Sequence, residues 1–169
     1  MTLRISILLS LFVAATLQVY VQLLELPPVM ASHFDMNGVP DEWMNRGSLI
    51  LNYAIWLIFP TGILSFSPLL VKALPVRLVS LPNKGYWMTP DNEEKAIKKL
   101  FMVMLEESSA IALFLVVSFQ LILEANLKES SFNTRVFITM LTLFVAFTVL
   151  WVIRVFIAFR IPPGHRELT

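Results

Sequence analysis

LRISILLSLFVAATLQVYVQLL, Leu3 to Leu24, decides how the rest of the chain is read. A secretory leader would be cut away, and Ala14-Ala15-Thr16 offers the small residues a peptidase needs, whereas a membrane helix stays. The apolar run extends to about twenty residues, enough to cross a hydrocarbon core of roughly 30 Å at 1.5 Å per residue. Three stretches of the same kind follow, at about 49–73, 100–125 and 136–159. The first run therefore reads as a retained helix. The whole chain, 1–169, reads as a single all-α integral membrane domain with four spans. None of the spans alternates in polarity over about ten residues, as a membrane β-barrel strand would.

Composition agrees. Hydrophobic residues make up 57% of the 169 and charged residues 15%, against roughly a quarter charged in soluble domains, and the mean hydropathy is +0.73. A formal net charge of +1 with scattered basic residues gives no field to hold nucleic acid. The absence of cysteine removes disulfides, thiolate metal sites and thiol nucleophiles together.

Basic residues set the expected orientation. Lys72, Arg77, Lys84, Lys95, Lys98 and Lys99 follow the second span, and Arg160 and Arg166 follow the fourth, while only Arg46, Lys128 and Arg135 flank the opposite ends. Both termini and loop 74–99 are expected in the cytoplasm, with loop 25–48 outside. Tyr20, Trp43, Tyr53, Trp56 and Trp151 fall near the expected interfaces.

The spans carry polar residues in patterns. Ser6, Ser10, Ala14, Gln18 and Gln22 recur every four residues, as do Ser108, Ala112, Val116, Gln120 and Glu124, so each set shares one helix face. Both helices run outward, which puts Gln18 and Gln22 level with Gln120 and Glu124, and the two faces are expected to meet. They form either a packing seam with interhelical hydrogen bonds, the simpler reading, or a polar cavity beneath the outer loop. Pro60 in the second span predicts a bend.

Ionisable side chains inside a span are expensive, on the order of 3 kcal/mol each on insertion scales. Glu106 and Glu107 lie seven and eight residues past Lys99, and Arg154 lies six before Arg160, at a comparable depth. An Arg154 pair with Glu106 or Glu107 would make a proton or ion step conceivable. The alternative, which the sequence favours, is an amphipathic approach helix over 91–107 lying at the interface, with the span starting near Ser108 and Arg154 snorkelling.

The outer loop holds ASHFDMNGVPDEW, Ala31 to Trp43. Asn37-Gly38 predicts a tight turn with both residues at positive φ, flanked by short paired strands around Phe34 and Val39. Pro27-Pro28 ends the first helix, Pro40-Asp41 opens a turn, and Ser48 is the expected N-cap of the second span. A calcium loop would place glycine sixth rather than fourth after its first ligand. Zinc at His33 with Asp35 or Asp41 lacks further nitrogen ligands, His165 being at the other face. No metal or cofactor is expected. Ser32 beside His33 is no indication of a nucleophile and base in reach of each other.

Leu26-Pro27-Pro28, His33-Phe34, Gly38, Pro40-Asp41, Trp43 and Arg46 together resemble the loop signature of a membrane domain of unknown function that also forms the N-terminal part of SdpI-type immunity proteins. Pro82-Asn83-Lys84-Gly85-Tyr86-Trp87-Met88-Thr89-Pro90 is similar to a second element of that family, and Ala125-Asn126 to a third. The resemblance implies a multi-helix module of the bacterial inner membrane, without established enzymatic activity, whose best-known relatives protect against a secreted peptide and bind a repressor. This chain has no room for their additional membrane domain, which puts those two roles in question here.

The expected function is thus non-enzymatic: an accessory module that binds a peptide, membrane partner or subunit through His33, Phe34, Gly38, Pro40, Asp41, Trp43 and Arg46. Asn83, Lys84, Tyr86 and Trp87 are expected at the cytoplasmic surface, against anionic headgroups or as a docking contact. The alternatives are a small ion-coupled transporter using Glu106, Glu107 and Arg154, and a membrane-bound enzyme using His33 and Asp41.

Overall fold

A computed structural model describes residues 1–163; His165 and Arg166, used above for metal ligation and orientation, lie outside the described residues. The chain forms helix α1 (Thr2–Gln22), a hairpin of β1 (Val29–Phe34) and β2 (Pro40–Asn45), helix α2 (Arg46–Ala73), a 3-10 turn (Val76–Leu78), one helical turn α3 (Lys84–Trp87), helix α4 (Glu93–Leu127) and helix α5 (Thr134–Ala158). Four of these helices are long and apolar enough to cross a membrane.

Helix α4 is the hub: α1, α2 and α5 each pack against it. Its 35 residues rise to about 52 Å, well beyond the roughly 30 Å core of a bilayer, so it projects from the apolar layer. It is also continuous, which corrects the expected separate approach helix over 91–107. One apolar cluster joins Leu8 and Ala15 of α1, Leu49, Tyr53 and Leu57 of α2, and Leu105, Ala112, Phe119 and Leu123 of α4. A smaller one joins Trp87, Ala96, Leu100, Val103 and Phe159 at the opposite end from the hairpin. Helix α5 buries no residue at all. Its Leu143, Val145, Leu150 and Phe156, like Leu9, Val13, Phe59 and Phe66 of α1 and α2, stand exposed. An apolar surface on this scale is stable only where lipid replaces water; this is a multi-pass membrane protein.

Two local expectations are corrected. The hairpin turn is not a two-residue Asn37-Gly38 turn: Gly38 alone has positive φ, at +80°, and Asn37 does not. Asp35 organises the turn, its Oδ1 accepting from the Asn37 and Val39 amides at 2.8 Å each. The N-cap of α2 is Asn45, whose Oδ1 accepts from the Ser48 amide at 2.8 Å, so the helix starts before Ser48. A short polar side chain that bonds its own backbone two or three residues on is the shared reason.

Candidate functional site

The hairpin lies across the end of α4 and is held by four devices. Antiparallel pairing matches Met30 with Met44 and Ala31 with Trp43. Met30 is fully buried and Met44 packs on the main cluster. On the free edge of β1, the Asn126 side chain acts like one residue of a further strand: its Oδ1 accepts from the Ala31 amide at 2.7 Å and its Nδ2 donates to the Ala31 carbonyl at 3.0 Å. Helix α4 thereby covers an edge that would otherwise invite pairing. At the turn, the Phe132 amide donates to the Gly38 carbonyl at 2.8 Å, and Phe34 stacks on Phe132 with centroids 4.9 Å apart. A Cβ on residue 38 would run into the Phe132 carbonyl oxygen, so glycine is required for space as well as for φ. Finally, Arg46 Nη1 donates to the Leu23 and Leu26 carbonyls at 2.8 Å each. These are orphan carbonyls after α1, where a cation also meets the negative end of the helix dipole.

What these anchors leave outward is a groove of about 510 Å³, lined among others by Val29, Phe34, Val39, Trp43 and Asn126. Trp43 is 59% exposed. Nearby, His33 Nδ1 lies 2.6 Å from Asp41 Oδ1, both side chains exposed. The Asp41 hydrogen bond, and then its charge, push the His33 pKa up; backbone amides, that of Val39 first, hold Asp35 below the usual carboxylate range. Ser32 lines another hollow, with Tyr53 and Trp56. Pro40 starts β2 opposite Phe34.

Beneath the hairpin the two polar helix faces meet. Gln18 Nε2 donates to the Val116 carbonyl at 2.9 Å and to Gln120 Oε1 at 3.0 Å, and Gln22 Nε2 reaches the same Oε1 at 3.2 Å. Gln120 donates to Glu124 at 3.3 Å, Lys128 pairs with Glu124 at 3.1 Å, and the Tyr53 hydroxyl donates to Gln18 Oε1 at 3.1 Å. The lower part of the stripe does not continue this seam. Ser108 is fully buried against α2, exchanging hydrogen bonds with Ser65 and the Thr61 carbonyl.

At the other end, Glu106 takes two arginines. Arg4 donates from Nε at 2.7 Å and from Nη2 at 2.5 Å to Oε1, and Arg154 Nη1 lies 2.7 Å from Oε2. Depth arithmetic brings Arg154 to Glu106, whereas Arg4, in the first turn of its span, reads from the sequence as a flank. Glu107 points elsewhere, its Oε1 accepting from the Thr148 hydroxyl at 3.0 Å while its buried Oε2 has no partner.

Of Asn83, Lys84, Tyr86 and Trp87, all expected at the surface, Trp87 is the one the fold buries. Trp87 is buried, 4% exposed, and its Nε1 donates to the Phe159 carbonyl at 2.8 Å, as does Asn83 Nδ2 at 2.8 Å. Lys99 donates to the Ala158 carbonyl at 3.1 Å and stands 4.1 Å over the Trp87 ring. Together they cap the last carbonyls of α5 and place a cation at its negative end. Tyr86 lies edge-on to Trp87 at 5.2 Å, and Lys84 reaches the Arg77 carbonyl at 3.3 Å. Among the described residues no three of His, Asp and Glu converge as metal ligands would.

Residues 8–57 match the family model described as a domain of unknown function, DUF1648, a membrane domain. The match spans most of α1, the hairpin and the first turns of α2, and is consistent with the resemblance carried by the hairpin motif. No curated protein and no solved structure matches the chain.

Proposed function

We propose that the chain is a non-catalytic binding module of a bacterial inner membrane, related to the membrane part of SdpI-type proteins, with the hairpin outside. Its groove receives an extended segment of a peptide or membrane partner. The observation that carries this reading is Trp43: Phe34, Gly38 and Arg46 are spent on anchoring and His33 and Asp41 on each other, whereas this large aromatic stands open on a platform fixed at several points. Exposed aromatics on rigid supports are what binding hot spots are made of. Among the described residues no strand pairs with the outer edge of β2, so a segment added there would gain main-chain hydrogen bonds. Glu129 lines the groove, while Arg46 and Lys128 are turned to backbone carbonyls and to Glu124. That balance favours a cationic segment.

The test is a photo-reactive residue in place of Trp43 in native membranes. A discrete adduct, absent when the probe replaces Phe66 on α2, is expected. Trp43→Ala should then reduce co-purification of the same species in mild detergent without changing the melting temperature. Adducts with lipid alone, or equal adducts from position 66, would overturn the reading.

One observation favours a second reading, a small ion-coupled transporter. Glu107 is buried and one of its oxygens lacks a partner, an arrangement suited to carrying a proton. Glu107→Gln would then abolish pH-driven flux in reconstituted vesicles.

A further inference from the structure

Between α1 and α5, over α4, runs a groove of about 530 Å³ that the hairpin does not touch. Its walls are apolar, from Ile7 and Leu11 on one side, Leu113 and Phe114 on the floor, and Phe144 and Phe147 on the other. From Glu106 to Val117 it follows α4 for about 16 Å along the helix axis. Its far end closes on the Arg4–Glu106–Arg154 trio, where two guanidinium groups share one carboxylate. The net charge there is +1. Each arginine has N–H donors left over after serving Glu106, and the arginine side chains are 31% and 59% exposed while Glu106 is 15%.

In a membrane these free donors cannot be left to hydrocarbon. Glu106 lies about 10 Å along α4 from Lys99, within reach of the headgroup layer for arginines that extend toward it. A charged mouth opening onto a long apolar trough matches a molecule with an anionic head and a hydrocarbon tail. We propose that this groove is a specific site for an anionic phospholipid, its phosphate held by Arg4 and Arg154 and one acyl chain lying between α1 and α5. Such a lipid would also supply the packing that α5, which buries no residue of its own, does not obtain from the chain.

The experiment uses the full-length protein, stripped of lipid in maltoside detergent. It is incubated with equal amounts of palmitoyl-oleoyl phosphatidylglycerol and phosphatidylcholine, and retained lipid is read by native mass spectrometry. Retention of phosphatidylglycerol should exceed that of phosphatidylcholine about tenfold, as one charge-assisted contact allows. Arg154→Gln should abolish the preference. Glu106→Gln, which frees both arginines, should strengthen it, an outcome that a purely structural role for the trio does not produce. Leu113→Trp keeps every charge and fills the trough, so it carries the test if Arg154→Gln fails to fold, and it should lower retention of the phosphatidylglycerol. Equal retention of the two lipids by the unaltered protein overturns the proposal. So does a preference that survives both Arg154→Gln and Leu113→Trp, or one that inorganic phosphate competes away, which would mean a headgroup site without a chain.

Discussion

His33 and Asp41 form the one ion pair of the hairpin whose charge changes near neutral pH, and its sign is fixed by geometry. Hydrogen bonding to Asp41 raises the His33 pKa above the usual value of about 6.5. The protonated pair therefore favours the folded hairpin fully below that value, and the contribution is lost as pH rises through the raised folded-state pKa. Imidazole nitrogen shifts, followed by NMR in a His165→Ala background, should give a midpoint above 6.5, and Asp41→Asn should bring it down. A midpoint unmoved by the substitution would dissociate the two side chains in solution. Individual residues were unevenly legible. Depth arithmetic brought Arg154 to Glu106, since two helices of known direction allow it, but nothing in the sequence marks Asn126 as the partner of a strand it follows by 95 residues. Trp87 reads from the sequence as a surface residue and is instead buried. An aromatic in a loop is drawn equally to a headgroup layer and to a buried carbonyl, and only the fold decides between them.

At the scale of elements, the boundaries followed from solvent. Hydrocarbon leaves a spanning segment no choice but a helix, so the spans of α1, α2 and α5 were readable to within a few residues. The start of α4 was not, because its first turns are polar and an amphipathic helix can lie on a surface or continue a span. Two helix ends show a common solution: the last carbonyls are met by side-chain donors from elsewhere in the chain, Arg46 for α1 and Asn83, Trp87 and Lys99 for α5. Trp87→Phe keeps the ring and removes one of the donors to Phe159. It should cost about 1 kcal/mol, measured as a lower melting temperature in detergent, whereas Lys84→Gln should be near neutral because its single contact is long and exposed. Equal effects would mean that the loop acts through charge and not through the cap.

For the whole molecule, the expected orientation rests on the distribution of lysine and arginine, and the chain offers a direct check because it contains no cysteine. Single cysteines at exposed Met36, beside the hairpin turn, and at Arg77, in the loop after α2, should react with a membrane-impermeant maleimide from opposite faces of sealed vesicles. Labelling from the same face would remove the four-span topology. The helical architecture was readable from hydropathy, and the upper seam between α1 and α4 from a four-residue repeat. That α4 alone holds the other three helices was not, because lipid-facing and protein-facing apolar residues look alike in a chain whose solvent is itself apolar.

The cap on α5 also bears on how the molecule is made. Trp87 and its acceptor at Phe159 lie 72 residues apart, so the receptor is synthesised long before its ligand leaves the ribosome. Helix α5, which Arg154 also ties to Glu106 and Trp151 to the Val103 carbonyl, gains this cap only once its final carbonyls emerge. The latch on α5 therefore cannot close until α5 itself has been made.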